Sequence, residues 1–192
     1  EHTNDYFTQS PYQASDRLAL IYKMQNWDYM RQYGVVANIP FSAGSWYRAK
    51  YNALGMRMHQ RCDDYFDIPF NRKKWVFVTW LDNTFKVGKH VSFELNGRYQ
   101  SAAIQGTFDI QPLFNLEAAA KWTFAHEKAS ISIRGHDLLN TGYPKTEVRF
   151  KGQYLDMDNS FYNRSVTIHF VYRFGGYKEK KQKEVDTSRF RL

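Results

Sequence analysis

Apolar and polar side chains alternate with a period of two residues along much of the chain. The clearest case is the segment 165–174, where one parity is apolar and the other is mostly polar. The apolar positions are Val166, Ile168, Phe170, Tyr172 and Phe174. The positions between them are Ser165, Thr167, His169, Val171 and Arg173. Because successive side chains of a β-strand point to opposite faces, this pattern predicts a strand with one apolar face.

The same alternation predicts a series of strands, and helical spacing fits none of these segments as well. With the last strand at 160–174, the predicted strands cover 29–41, 46–60, 74–86, 91–100, 114–124 and 129–136. Residues 1–10 are predicted to form the top of one more strand. Residues 11–28 are predicted to be the loop that follows it.

Short and long connections alternate between the predicted strands. The short ones are 42–45, 87–90 and 125–128, and the long ones are 63–73, 101–112 and 137–159. Bacterial outer-membrane barrels have short periplasmic turns and longer extracellular loops. We therefore predict that the short connections lie in the periplasm and the long ones outside the cell.

Aromatic residues make up 18% of the chain, with 14 Tyr, 15 Phe and 5 Trp, which is more than a soluble domain usually needs. Several of them flank the predicted short turns: Phe41, Trp46, Tyr47, Phe85, Trp122, Phe124, Tyr172 and Phe174. Membrane barrels carry aromatic belts at their interfaces, so this clustering favours a barrel over a soluble sandwich whose strands end in aromatics. The chain has no apolar run of the length that a transmembrane helix requires.

The predicted fold is all-β, an antiparallel transmembrane β-barrel to which this chain contributes about 7 or 8 strands. The less apolar parity carries charge of both signs. Its candidates for a lumen-facing role are Arg48, Lys50, Asp82, Glu94, Arg98, Glu117, Lys121, Arg134 and Arg173. A dry interior would have to pair each of these charges, so the pattern predicts a wide barrel with a wet lumen or a polar plug. Cross-strand ion pairing without any transport role remains an alternative for each residue.

Residue patterns for catalysis, metal binding or nucleic-acid binding are weak. The histidines lack metal-ligand spacing, Cys62 has no adjacent His, and the acidic loop 63–67 lacks the closing Glu of a calcium loop. His136–Asp137 is interpreted as structural. A basic tail supplies six of the positive side chains behind the net charge of +8, namely Lys178, Lys180, Lys181, Lys183, Arg189 and Arg191, and the other basic residues alternate with apolar ones at strand period. We therefore expect no enzymatic activity, no cofactor and no nucleic-acid partner. Since the chain begins at Glu1 without signal-peptide features, we expect either a removed leader or a longer precursor.

The segment Asn163–Tyr177 resembles the terminal strand of TonB-dependent receptor barrels, and most of all the large outer-membrane β-barrel subfamily. Weaker matches are the tail Asp186–Phe190, the strand exit Asp137–Thr141, the strand end Lys121–Phe124 and the segment Tyr22–Asn26. Such receptors have about 22 strands around an N-terminal plug. They import scarce ligands such as iron chelates, cobalamin or glycans with energy passed through TonB. The resemblance implies that this chain is roughly the C-terminal third of such a receptor.

The resemblance also implies partners and an outer-membrane location of the Gram-negative type. The expected partners are outer-membrane lipid, the barrel-assembly machinery, and TonB acting through an N-terminal plug that this chain does not contain. Residues 1–174 are expected to be barrel, with Tyr172 and Phe174 as the assembly signal, and residues 175–192 a charged periplasmic tail. Two alternatives stay open: a complete small outer-membrane barrel with a structural or adhesive role, and a soluble β-sandwich binding module.

Overall fold

The computed structural model describes residues 2–14, 16–17, 19–158 and 164–174, and every regular element among them is a β-strand. None of these residues belongs to a helix long and apolar enough to cross a membrane. The strands of the main sheet are β1 (His2–Gln13), β2 (Leu20–Ala43), β3 (Tyr47–Cys62), β4 (Phe70–Val87), β5 (Val91–Gln100), β8 (Leu113–Phe124), β9 (Ala129–His136) and β12 (Ser165–Tyr172). Four shorter strands complete the set: β6 (Ala103–Gln105), β7 (Phe108–Ile110), β10 (Thr146–Phe150) and β11 (Gln153–Met157).

The main sheet is an antiparallel meander of 8 strands in the order β1-β2-β3-β4-β5-β8-β9-β12. Its central ladders run without interruption, from Tyr29↔Arg61 to Ala43↔Tyr47 between β2 and β3. Within the described residues β1 and β12 do not pair with each other, so the sheet is open at both edges. The fold is therefore the predicted antiparallel barrel sheet, in an unclosed form.

Tight turns join the strands at one end of this sheet, at the places that the sequence predicts. The first two contain Gly44 and Gly88, with φ angles of 55° and 63°, a left-handed conformation that glycine adopts without steric cost. The third turn uses non-glycine residues in the same conformation, with φ of 55° at Ala125 and 54° at His126. At the opposite end the connections are longer, as the sequence also predicts.

The prediction of a loop at 11–28 is wrong. β1 continues to Gln13 and β2 begins at Leu20, so the two strands form a long hairpin that extends well above the predicted strand start at residue 29. Both faces of this part of β2 are largely exposed, and an apolar alternation is therefore absent from the sequence there. The expected extra strand at 1–10 is confirmed as β1. Residues 160–163 of the predicted last strand lie outside the described residues.

The long connections 101–112 and 137–159 contain strands of their own. β6 and β7 come from the first connection, β10 and β11 from the second, and together they form a small sheet in the order β11-β10-β7-β6. Ala103 of β6 packs in an apolar cluster with Met58, Val76 and Val78. The small sheet thus lies against one face of β3 and β4.

Polar contacts fix the small sheet to the main sheet. Arg72 of β4 donates hydrogen bonds from Nη2 to both carboxylate oxygens of Asp109, at 2.7 and 2.8 Å. Its Nη1 donates to the Gly106 carbonyl at 3.2 Å. The buried Gln60 accepts a hydrogen bond from the Gly106 amide at 2.7 Å. Gly106 has φ +58°, and a Cβ there would lie 3.0 Å from the Trp27 ring, so a larger residue would need both a strained backbone and a shift of this ring. The loops are consequently folded back over the main sheet.

We predict that Arg72→Gln loosens the small sheet. The Arg72 and Asp109 side chains are only 20% and 30% exposed, so losing their charged hydrogen bonds should cost about 2 kcal/mol of local stability. Cleavage of 101–112 by proteinase K in outer-membrane vesicles should become about 30-fold faster, followed by mass spectrometry of the fragments. The matched control is Arg149→Gln, which removes the more exposed Arg149–Asp156 pair. Equal cleavage rates for the two variants would show that Arg72 does not anchor the loops.

The difference in length between the connections at the two ends of the sheet also predicts how the protein is oriented in the outer membrane. A cysteine introduced at Asp64 should react with an impermeant maleimide on intact cells, whereas one introduced at Ser45 should react only after lysis. The unmodified protein is the blank, because Cys62 is 1% exposed and burial raises the pKa of its thiol. Labelling of Ser45→Cys but not of Asp64→Cys on intact cells would reverse the orientation.

Candidate functional site on the polar face of the sheet

One face of the main sheet, called here the apolar face, presents large hydrophobic side chains that nothing in the described part of the chain covers. Val35 is 76% exposed and Ile168 is 67% exposed. Other exposed members of this face are Ile39, Phe41, Tyr51, Phe77, Leu81, Phe93, Leu95, Trp122, Ile131, Ile133, Val166 and Phe170. A soluble protein rarely exposes a continuous apolar surface of this extent, whereas a membrane barrel turns such a face to lipid.

Aromatic side chains border the apolar face at both ends. Beside the tight turns the rings contact one another, with centroids 5.0 Å apart for Tyr47–Phe85 and 4.6 Å apart for Trp122–Phe124. A second belt, which the sequence analysis missed, lies towards the loop end and contains Tyr33, Trp75, Phe77, Tyr99 and Phe114. This belt could have been found from the sequence, because its aromatic residues lie near the loop ends of the strands and share the parity of the apolar face. Residues 33–43 of β2 would span about 25 Å at usual strand tilt, which matches the apolar band of outer-membrane barrels.

One polar residue of the apolar face is fully engaged. Asn83 is 8% exposed, accepts a hydrogen bond from the Tyr47 hydroxyl at 2.9 Å and donates to the Leu95 carbonyl at 2.9 Å. An unsatisfied amide in lipid would cost several kcal/mol, so these bonds explain how Asn83 is tolerated there.

The opposite face, called here the polar face, contains the predicted lumen candidates. The register sorts those in strands into cross-strand rows, with Trp80↔Arg98↔Asn115 nearest the loops. The next row is Lys50↔Asp82↔Asn96↔Glu117, and below it comes Arg48↔Thr84↔Glu94↔Ala119↔Arg134. Lys86↔Ser92↔Lys121↔Ser132 lies next to the turns. Arg173 follows β12, and its amide continues the ladder by donating to the Lys128 carbonyl at 2.8 Å.

Some of these charges are paired across strands. Arg134 binds Glu94 and lies 3.6 Å from Glu117, which in turn lies 3.4 Å from His136. For these residues, the ion-pairing alternative describes the observed contacts. Among the described residues, by contrast, no carboxylate lies within ion-pair distance of the cations Arg48, Lys50, Arg98 and Lys121. The polar face therefore carries free positive charge that requires water or a ligand.

An open pocket of about 430 Å³ lies at the centre of the polar face, between β4, β5 and β8. Its lining side chains combine one indole, two amides, two carboxylates and one guanidinium: Trp80, Asn96, Asn115, Asp82, Glu117 and Arg98. Such a set can stack on a flat ligand face and form hydrogen bonds to polar groups around it. Trp80 was not among the predicted site residues, because only the strand register shows that it lies beside Arg98 and Asn115.

The other candidate groups outside the polar face have structural contacts. Asp137 accepts hydrogen bonds from the amides of Thr141 and Gly142, at 3.0 and 3.1 Å, and so organises the strand exit. Arg61 beside Asp63 holds the pKa of that carboxyl below its ordinary value. In the described ranges, no group of three His, Cys, Asp or Glu side chains is arranged to hold a metal ion.

These features define an outer-membrane β-barrel wall. The chain matches the Outer membrane protein beta-barrel family over residues 1–172, and it belongs to that family. It is accordingly a protein of the outer membrane of Gram-negative bacteria. No curated protein and no solved structure matches it.

The proposed assembly signal lies at the edge of the described region. Tyr172 pairs with Ala129 at the end of β12, and its ring centroid lies 4.7 Å from that of Phe174. Phe174 is 87% exposed on the apolar side of the strand end. Recognition of these rings by the assembly machinery stays a prediction, and the tail 175–192 lies outside the described residues.

We predict opposite tolerance of charge at neighbouring positions of β12. Ile168→Arg should cost about 2–4 kcal/mol of barrel stability because it places a guanidinium in lipid, while Thr167→Arg should cost much less. The measurement is urea unfolding of the protein in lipid vesicles. The folded fraction is read from the different migration of unheated and heated samples on SDS gels. Similar losses at the two positions would mean that the faces of β12 are assigned wrongly.

Proposed function

We propose that this chain is the C-terminal part of the barrel wall of a TonB-dependent outer-membrane receptor. In this proposal the receptor imports a scarce ligand, namely an iron chelate, cobalamin or a glycan. The protein is a transporter component and not an enzyme. The observation that supports the proposal most strongly is the position of the small sheet, which lies on the polar face of β3 and β4.

The position of the small sheet bears on barrel width. The interior of an eight-stranded barrel is only wide enough for its own side chains. Packed sheets lie about 10 Å apart, so a four-stranded layer on the inner face needs additional room. The free cations Arg48, Lys50, Arg98 and Lys121 likewise need a wet interior. Both features favour a wide barrel in which β1 and β12 pair with further strands.

The polar face supplies distinct elements for import. The small sheet narrows the extracellular mouth, the Trp80 pocket offers a contact site for ligand or plug, and the lower rows carry Lys86 and Lys121 towards the periplasm. Import energy would enter through TonB and a plug inside the barrel. The lipid around the apolar face and the barrel-assembly machinery complete the set of proposed partners.

The alternative is a complete small barrel with a structural or adhesive role. It would have to close through a β1–β12 ladder around both the small sheet and the polar-face charges. An interior that is already filled by side chains leaves no space for this layer, and we therefore rank the alternative second.

The test begins with the mature protein in its native host. Antibody against the 63–73 loop should detect a folded outer-membrane protein much larger than 192 residues. Uptake of ferric citrate, cyanocobalamin and maltoheptaose is then compared in the parent, a gene deletion and a TonB-depleted strain. We expect one of the three probes to lose uptake in both modified strains. A mature protein of only this chain's mass, or unchanged uptake of all three probes, would overturn the proposal.

A further inference from the structure

A patch of basic side chains borders the apolar face at its loop end. The register places His2, Arg31, His59 and Lys73 in one cross-strand row over β1 to β4. The row directly below it, towards the membrane, is Tyr33↔Arg57↔Trp75. We call His2, Arg31, Arg57, His59 and Lys73 the basic patch. Its members share the parity of the exposed Val35 and Phe77, so they project outwards and not into the polar face.

The patch lies at the height of lipid head groups. Tyr33 and Trp75 belong to the upper aromatic belt, and aromatic belts mark the membrane interface. One row of a strand ladder is about 7 Å high, so Arg31, His59 and Lys73 lie just above this interface. Basic side chains at such a level are attracted to anionic lipid surfaces.

The structure shows no carboxylate neutralising the Arg or Lys side chains of the patch in the part of the chain that it describes. Among the described residues, no carboxylate forms an ion pair with Arg31, Arg57 or Lys73. The nearby Asp28 and Asp63 pair with Arg61, one row further from the membrane. Arg57 and Lys73 are exposed. The patch therefore presents uncompensated positive charge towards the membrane surface.

Several side chains of the patch are held in place. The Arg31 guanidinium carbon lies 4.2 Å from the Tyr29 ring centroid, and its Nε is buried without a hydrogen-bond partner. His59 is fixed by the Tyr29 hydroxyl at 3.1 Å and the Asn71 side chain at 2.8 Å. Ordered donors of this kind suit a phosphate, which guanidinium groups bind through paired hydrogen bonds.

The patch is local and confined to one end of the sheet. At the turn end, the last pairs of the apolar face are Ala43↔Tyr47 and Val87↔Val91, and these pairs contain no cation. On β5 and β8 the loop end of the same face is formed by Tyr99 and Phe114. Arg164, just before β12, is a single further cation of apolar-face parity at the loop end. The five basic side chains of the patch, by contrast, share two adjacent rows of β1–β4.

We infer that the basic patch binds the phosphate groups of the phosphorylated glycolipid that forms the outer leaflet. With the long connections outside the cell, this lipid is the anionic surface that faces β1–β4. The site is independent of any imported ligand, so it can be tested whether or not the receptor proposal holds.

The experiment uses the full-length protein purified from outer membranes. Binding to vesicles that contain bisphosphorylated lipid A is compared for the parent and the Arg31→Gln, Arg57→Gln, Lys73→Gln triple variant. We expect about a 10-fold loss of affinity and a similar loss of co-purified lipid A in mass spectra. The control has the same loss of charge elsewhere, at the exposed Lys89, Lys128 and Lys145, and should bind like the parent.

Further arms separate the possible sources of binding. Dephosphorylated lipid A and vesicles of phosphatidylglycerol should bind at least 10-fold more weakly to the parent, and millimolar inorganic phosphate should compete only partially. If the triple variant does not fold, judged by heat-modified migration, the double variant of the exposed Arg57 and Lys73 takes its place. Parent-like binding by the folded patch variant would overturn the inference. Equal binding of phosphatidylglycerol or of dephosphorylated lipid A to the parent would overturn it as well.

Discussion

A chain that crosses lipid must satisfy all of its backbone N–H and C=O groups internally, and the rest of this structure depends on that constraint. The meander meets it by continuous ladders from β2 to β12, such as the one joining β3 to β4 from Tyr47↔Phe85 to Cys62↔Phe70. Within the described residues, β12 is one edge of the sheet, and residues 32–43 of β2 lie at the other, because β1 pairs only with residues 20–31 of β2. Edges of this kind cannot persist in hydrocarbon, so each of them must have a strand partner in the membrane.

Strand pairing also sorts the side chains, because each ladder keeps equal parity on one face. The apolar face acquires its two aromatic belts in this way, and the polar face acquires rows of mixed charge. Asn83 shows how strict the sorting is, since its amide on the apolar face is held by both the Tyr47 hydroxyl and the Leu95 carbonyl. On the other face, Arg72 and Gln60 of the same strands fix loops over the polar side of the sheet.

The sequence was sufficient wherever one face of a strand meets lipid. The alternation in 91–100 and the turn at Gly88 predict a strand and a hairpin directly, and parity alone groups Glu94, Arg98 and Lys121 on one face. It was insufficient where both faces are wet, as in 20–28, and for strands as short as β6 and β7, which have 3 residues each. Contacts such as Arg72–Asp109 join distant parts of the chain through tertiary packing, and no local pattern could predict them.

We infer that the two faces of this sheet meet different solvents, lipid on one and water on the other. It is tested most directly by single spin labels along 91–100 in the protein reconstituted in lipid vesicles. Collision rates with oxygen should be highest at Val91, Phe93, Leu95 and Tyr99. Rates with a polar nickel complex should be highest at Ser92, Glu94, Asn96 and Arg98. Opposite phases of the two profiles would support the account, and profiles that lack the two-residue period, or that show it in reverse phase, would contradict it.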